Sequence, residues 1–171
     1  MADEAFAIAA GWKALSPRLR ALRRAVLLVV VLGGGAALAA LAGWPLLTGE
    51  DLPRGDAIYA AAVLAGAALV AAVGWRLVGR NYASWSYAER DDDLLVRHGW
   101  MFRRLVVVPY GRMQFVDVTA GPLQRRFGVA TLQLHTAAAA TDATIPGLPP
   151  AEAARLRDTL AALGEARSAG L

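Results

Sequence analysis

Hydrophobic residues fall into two different patterns along this chain, and the change comes near residue 80. Before it, long uncharged runs dominate. From Ala25 to Leu47 there is no charged residue over 23 positions. At 1.5 Å per residue that is about 34 Å of helix, enough to cross a hydrocarbon core of about 30 Å. A second uncharged run spans Ala57 to Trp75 and is closed by Arg76. It is weaker. Ile58, Val63, Leu64, Leu69, Val70 and Val73 together contribute about 2–3 kcal/mol of insertion energy, whereas one central arginine costs about 2.5–3.5 kcal/mol. Arg76 therefore belongs at the interface, where Tyr59 and Trp75 also suit the two ends of the span. Two transmembrane helices are predicted, over 25–47 and 57–78.

After Arg80 the period shortens to that of β-strands. Strands are predicted at Tyr82–Tyr87, Leu94–His98, Met101–Val108, Met113–Val118, Val129–Thr136 and Ala143–Ile145. Asp91-Asp92-Asp93, Gly99 and Pro109 to Gly111 mark the turns. Gly121 to Gly128 is a compact connection. Pro150 suits the first position of a helix. From there Ala153, Leu156, Leu160 and Leu163 share one face that should cap the sheet. The mostly β domain is assigned to 80–165, with a frayed tail over 166–171.

Residues 1–24 form a basic leader. Ile8, Trp12, Leu15, Leu19 and Leu22 recur at helical spacing, with Lys13, Arg18, Arg20 and Arg23 off that stripe. An amphipathic helix on the membrane surface would look like this. Pro17 argues against one continuous helix, so a bent or partly disordered leader stands beside it.

Charge sets the orientation. Arg18, Arg20, Arg23 and Arg24 precede the first span, Arg76 and Arg80 follow the second, and the short connection carries Glu50, Asp51, Arg54 and Asp56. Positive flanks stay inside, so both termini are expected on the cytoplasmic side of a bacterial inner membrane. A cleaved signal peptide is disfavoured by the long charged leader and by a second span that follows at once. Small residues at Gly35, Ala39 and Gly43, and at Ala57, Ala61, Ala65, Ala68 and Ala72, would let the two helices approach closely.

Composition adds two limits. The 171 residues contain no cysteine, which removes disulfides, thiolate metal sites and cysteine nucleophiles. The net charge of +4 is compatible with anionic headgroups beside the membrane. Candidate chemistry is sparse. Asp91–Asp93 could ligate a hard cation but read better as a solvated turn. His98 and His135 lie on separate strands without a third ligand. Asp117 and Glu89 have no pairing that suggests acid–base work. No nucleophile elbow, phosphate loop or dinucleotide fingerprint is present. No cofactor, metal, catalytic activity or nucleic-acid partner is therefore expected. The arginines Arg97, Arg103, Arg104, Arg112, Arg125 and Arg126 are the remaining candidates, because guanidinium forks match phosphate oxygens. Since neighbours on a strand face opposite ways, Arg103 and Arg104 should not serve one patch.

One resemblance organises these pieces. Val108-Pro109-Tyr110-Gly111-Arg112-Met113-Gln114, then Val116-Asp117-Val118, then Gly121 to Leu132 resemble the YdbS-like bacterial pleckstrin-homology (PH) family. Leu15 to Arg18, two spans, the aromatic segment Tyr82–Tyr87 and the Leu95–Gly99 hairpin follow the same order. The likeness covers about residues 15–163. Met113, Phe115 and the Ala137–Ala140 turn depart from the family pattern. The resemblance implies a PH-like bent sheet, barrel or sandwich, closed by a C-terminal helix, in membrane proteins without established catalysis. The resulting expectation is a non-catalytic, membrane-anchored module that assembles with a protein partner or with copies of itself. The alternative is an anionic-lipid sensor whose binding residues come from Arg97, Arg104, Arg112, Arg125 and Arg126.

Overall fold

The structure, a computed structural model, describes residues 11–48, 54–137 and 141–168. Its elements in chain order are β1 (Lys13–Ala14), α1 (Pro17–Thr48), α2 (Arg54–Ala83), β2 (Ser86–Glu89), β3 (Asp93–His98), β4 (Arg104–Pro109), β5 (Met113–Thr119), α3 (Pro122–Arg126), β6 (Ala130–Thr136), β7 (Ala143–Leu148) and α4 (Pro150–Ser168). The chain divides into two compact units. One is Arg23–Gly79; the other joins Met1–Leu22 to Arg80–Leu171.

The first unit is a pair of apolar helices, each with a stretch long and apolar enough to cross a membrane. Their large side chains point outward: Val29 is 71% exposed and Ile58 72%. That exposure is costly in water and favourable in lipid. The helices touch through small residues. A β-carbon on Gly74 would meet the Leu27 side chain at 2.8 Å, and one on Gly35 would reach Ala67. Close approach of this kind replaces the hydrophobic drive that is missing between helices in lipid. The Arg24 guanidinium lies 4.1 Å from the Trp75 ring centre, a cation–π contact.

The second unit is two antiparallel sheets, ordered β1-β2-β3-β4 and β5-β6-β7, with α4 against the second. Leu94, Val96, Val108, Leu132, Leu134 and Ile145 fill the space inside, and Ala153, Leu156 and Leu160 of α4 close it with no exposure. A smaller cluster of Ala88 and Leu95 is covered by Trp12 and Leu105 on the outer face of the first sheet. This explains the continuous apolar run of β3, Leu94-Leu95-Val96: both faces of the strand are covered.

Three local expectations are corrected. Among the described residues of the leader, 11–16 are not helical. Lys13 and Ala14 pair with Tyr87 and Ser86 as an added strand. Ser16 Oγ accepts a bond from the Arg18 N–H, and α1 starts at Pro17. Pro17 thus occupies a first helical position, where its missing N–H costs nothing. Leu15 and Leu19 are each 3% exposed in the domain core. The apolar stripe is real, but its partner is the sheet. Ile8, also on that stripe, lies outside the described residues.

The aromatic segment Tyr82–Tyr87 is also not one strand. The second membrane helix runs on to Ala83, and β2 begins only at Ser86. Ser84 Oγ donates to the Asn81 carbonyl, occupying an acceptor that the helix end leaves open. Tyr82 Oη donates to the Leu15 carbonyl at 2.7 Å. Finally, the tail stays helical through Ser168, because Arg167 reaches the Asp91 carbonyl and the Asp92 carboxylate. The alanine turn at 138–140 lies outside the described residues.

Candidate functional site

The antiparallel register gives the β-domain two ends. In the first sheet Asp93 faces Pro109 and His98 faces Arg104, so the β3–β4 turn lies opposite the Asp91–Asp93 turn. In the second sheet Met113 faces Thr136 and Thr119 faces Thr131, which puts α3 at the end away from residues 112 and 137. The Ala137 N–H donates to the Arg112 carbonyl there.

The chain segments that lead into α1 and out of α2 meet at one of these ends. Ser16 N–H donates to the Gly147 carbonyl, and Arg18 lies against Gly128, just after α3. Trp85 stacks on His98 with ring centres 4.7 Å apart. The Arg80 guanidinium sits 4.7 Å from the Trp100 ring centre, and Arg20 sits 5.6 Å from that of Tyr82.

Four of the five singled-out arginines lie toward this end. Arg125 and Arg126 are exposed on α3, and Arg104 is exposed at the start of β4. Arg97 is half-buried: its Nε donates to Ser86 Oγ, and its guanidinium covers the Trp12 ring at 4.7 Å. Arg112 does not join them. It lies at the opposite end, near the acidic turn. Arg103 precedes the strand, so the alternation rule does not separate it from Arg104; both are exposed. Burial, reinforced by Arg104, lowers the pKa of His98 from the ordinary imidazole value.

The opposite end is acidic and internally paired. Asp91, Asp92 and Asp93 with Glu89 and Arg90 line a hollow of about 330 Å³. Arg167 pairs with Asp92, and Arg90 approaches Asp93 at 3.7 Å. Between the ends, Glu89 accepts bonds from Lys13 at 2.7 Å and from Arg155 at 2.8 Å. Glu152 accepts from Arg155 and from Tyr87 Oη. The Arg155 hydrogen bond holds the Glu152 carboxyl down to about 2, well below the usual carboxylate range. For Glu89, burial pushes upward but the bonds from Arg155 and Lys13 win, and its pKa is lowered. This cluster clasps β1 and β2 to α4, so Glu89 has a structural role. Asp117 is exposed on β5, away from the cluster.

His98 and His135 end up in different sheets. His135 stacks on Phe115 with ring centres 4.3 Å apart and meets Asp142 at 3.3 Å. Among the described residues no group of three or more His, Cys, Asp or Glu could hold a metal ion.

One feature of the basic end was missed in the sequence. The β3–β4 turn carries Trp100, Met101 and Phe102, with Met101 63% and Phe102 83% exposed. Leu123 on α3 is 56% exposed beside Arg125 and Arg126. A signal was available: hairpin turns favour Gly, Asn, Asp and Pro, and three large apolar residues between Gly99 and two arginines break that rule.

Two bent antiparallel sheets closed by a C-terminal helix, following a pair of apolar helices, define a membrane protein with a PH-like domain. Comparison with known proteins agrees. The family described as "Bacterial PH domain" matches residues 6–164, and the chain belongs to it. It is also 37% identical over 79 residues to the "UPF0699 transmembrane protein YdbS" of Bacillus subtilis (strain 168). That match covers 46% of this chain and 48% of the relative, so the chain spans about half the length of the curated relative it matches. No solved structure matches the chain.

Proposed function

We propose that this protein is a non-catalytic, membrane-anchored PH-like module whose basic end engages anionic lipid headgroups of the inner leaflet. The observation that carries this reading is the charge polarity of the domain. Arg104, Arg125 and Arg126 cluster toward the end where the membrane helices join, with Arg18 beside them, while Asp91–Asp93 lie at the other end. A dipole of this sense favours an anionic surface on the helix side.

The test needs the full chain, because residues 80–165 alone would lack Leu15, Leu19 and β1. Each arginine near an anionic surface contributes about 1 kcal/mol, roughly fivefold in preference. The detergent-purified protein is expected to retain phosphatidylglycerol over phosphatidylcholine in native mass spectrometry. Arg125→Ala with Arg126→Ala should weaken that preference, and Arg112→Ala should leave it unchanged. Equal retention of the two lipids by the unaltered chain would sink the reading.

Orientation follows from the same unit. Residues 11–22 and 80–168 fold together, which supports an even number of crossings between them. With the positive flanks, this favours both termini in the cytoplasm. Alkaline phosphatase joined after Leu171 should then be inactive; an active fusion would reverse the assignment.

A second reading has its own observation. β4 and β5 are each terminal in their sheets, and Phe115 on β5 is 56% exposed. Open edges of this kind accept a strand from another chain. Assembly with a protein partner or a second copy predicts a higher-mass species in blue-native electrophoresis that Phe115→Lys reduces. A single monomeric band from mild detergent would count against it.

A further inference from the structure

We propose that the β3–β4 turn, Trp100-Met101-Phe102, is a membrane-inserting wedge that docks the PH-like domain onto the bilayer surface. It deepens the headgroup reading of the same end, but its driving force is apolar and separate from the arginines.

The turn is built to present these side chains. Gly99 has φ of +96°, and a β-carbon there would fall 1.9 Å from the Phe102 carbonyl oxygen. The backbone therefore folds back on itself in a conformation that L side chains rarely adopt. The flanking pair His98 and Arg104 is in register, so the tip is closed from its base. Within it, Phe102 is 83% and Met101 63% exposed. In water, two large apolar side chains exposed at so tight a turn are unfavourable without a compensating surface.

The chain supplies that surface. Arg80, which covers the Trp100 ring, belongs to α2. It is five residues past Trp75, about 7.5 Å along the same helix. The chain thus passes from the span into the domain through the residue that covers Trp100. The residue types fit an interface: a tryptophan at headgroup depth, two apolar side chains beyond it, and Arg103 and Arg104 behind them. A protein partner would be expected to meet a broader apolar surface; here two exposed side chains stand on one turn, followed directly by the exposed Arg103 and Arg104.

The absence of native cysteines allows a direct test. Phe102→Cys in the full chain is labelled with a nitrobenzoxadiazole fluorophore and reconstituted in phosphatidylcholine, with or without phosphatidylglycerol. Asp91→Cys, at the far end, is the reference. The label at 102 is expected to emit at shorter wavelength than the label at 91 and to be quenched by doxyl-labelled lipid. Quenching in both compositions supports the wedge even if the arginines show no headgroup preference. Quenching confined to the anionic vesicles supports it by way of that preference. Two outcomes overturn it: a label at 102 that behaves like the one at 91 in both compositions, or a blue-shifted label that doxyl lipid does not quench, which means protein covers the tip.

Discussion

Leu19→Ala is expected to destabilise the β-domain by about 2–5 kcal/mol, although Leu19 precedes the first membrane span in the chain. The side chain is 3% exposed and belongs to the main core with Leu15, Leu132, Ile145 and Leu156. Removing its branched end leaves a cavity among residues held in place by two sheets and α4, so little collapse can offset the loss. Thermal unfolding of the full chain in detergent, followed by near-ultraviolet circular dichroism, would report it. Leu28→Ala is the comparison: Leu28 is 39% exposed on a membrane helix and should matter far less to that transition. Equal melting of the two variants would show that the leader does not contribute to the core.

Gly147→Ala should be similarly damaging, at about 2–5 kcal/mol, for a backbone reason. Gly147 has φ of +71°, which costs any other residue about 1–2 kcal/mol. The added β-carbon would lie 2.5 Å from Leu19 Cβ and 2.6 Å from its Cδ2. The β-carbon is fixed to the α1 backbone, so it cannot swing aside. The Gly147 carbonyl also accepts the Ser16 N–H at 3.1 Å, and displacing one contact strains the other. Gly33→Ala is the opposite case. Gly33 is helical with nothing within 4 Å of an added β-carbon, and alanine there should be neutral or mildly stabilising. Protease resistance of the domain separates the two variants. A Gly147→Ala protein as resistant as the unaltered chain would disprove the tight approach.

The large divisions of the fold were legible because each rests on a local signal. Uncharged runs of span length, alternation after Arg80, Pro150 with its helical stripe, and the Tyr110 to Leu132 resemblance all act over short stretches of chain. What was not legible depends on distant partners. The stripe of Leu15 and Leu19 is visible, but nothing local tells whether lipid or a sheet made a hundred residues later will cover it. Tyr82 has high strand propensity, yet it finishes a helix because its hydroxyl finds the Leu15 carbonyl. In the candidate site, the arginines were visible by type but not by end. Arg112 and Arg125 look alike in sequence, and only the strand register separates them. Met101 and Phe102 were absorbed into a predicted strand, which hid them at the turn.

The burial of Leu19 beneath Gly147 also sets a clock on synthesis. About 130 residues separate the two along the chain. At bacterial elongation speeds of about 5–20 residues per second, Leu19 leaves the ribosome roughly 6–25 s before its partner. During that interval both hydrophobic spans are made, and the leader must stay on the side where the domain will form. A nascent chain of this kind carries an unmatched apolar segment ahead of its own anchor. Its folding therefore ends late, with closure of a long loop rather than growth from the N-terminus, and slow completion is the kinetic signature to expect of it.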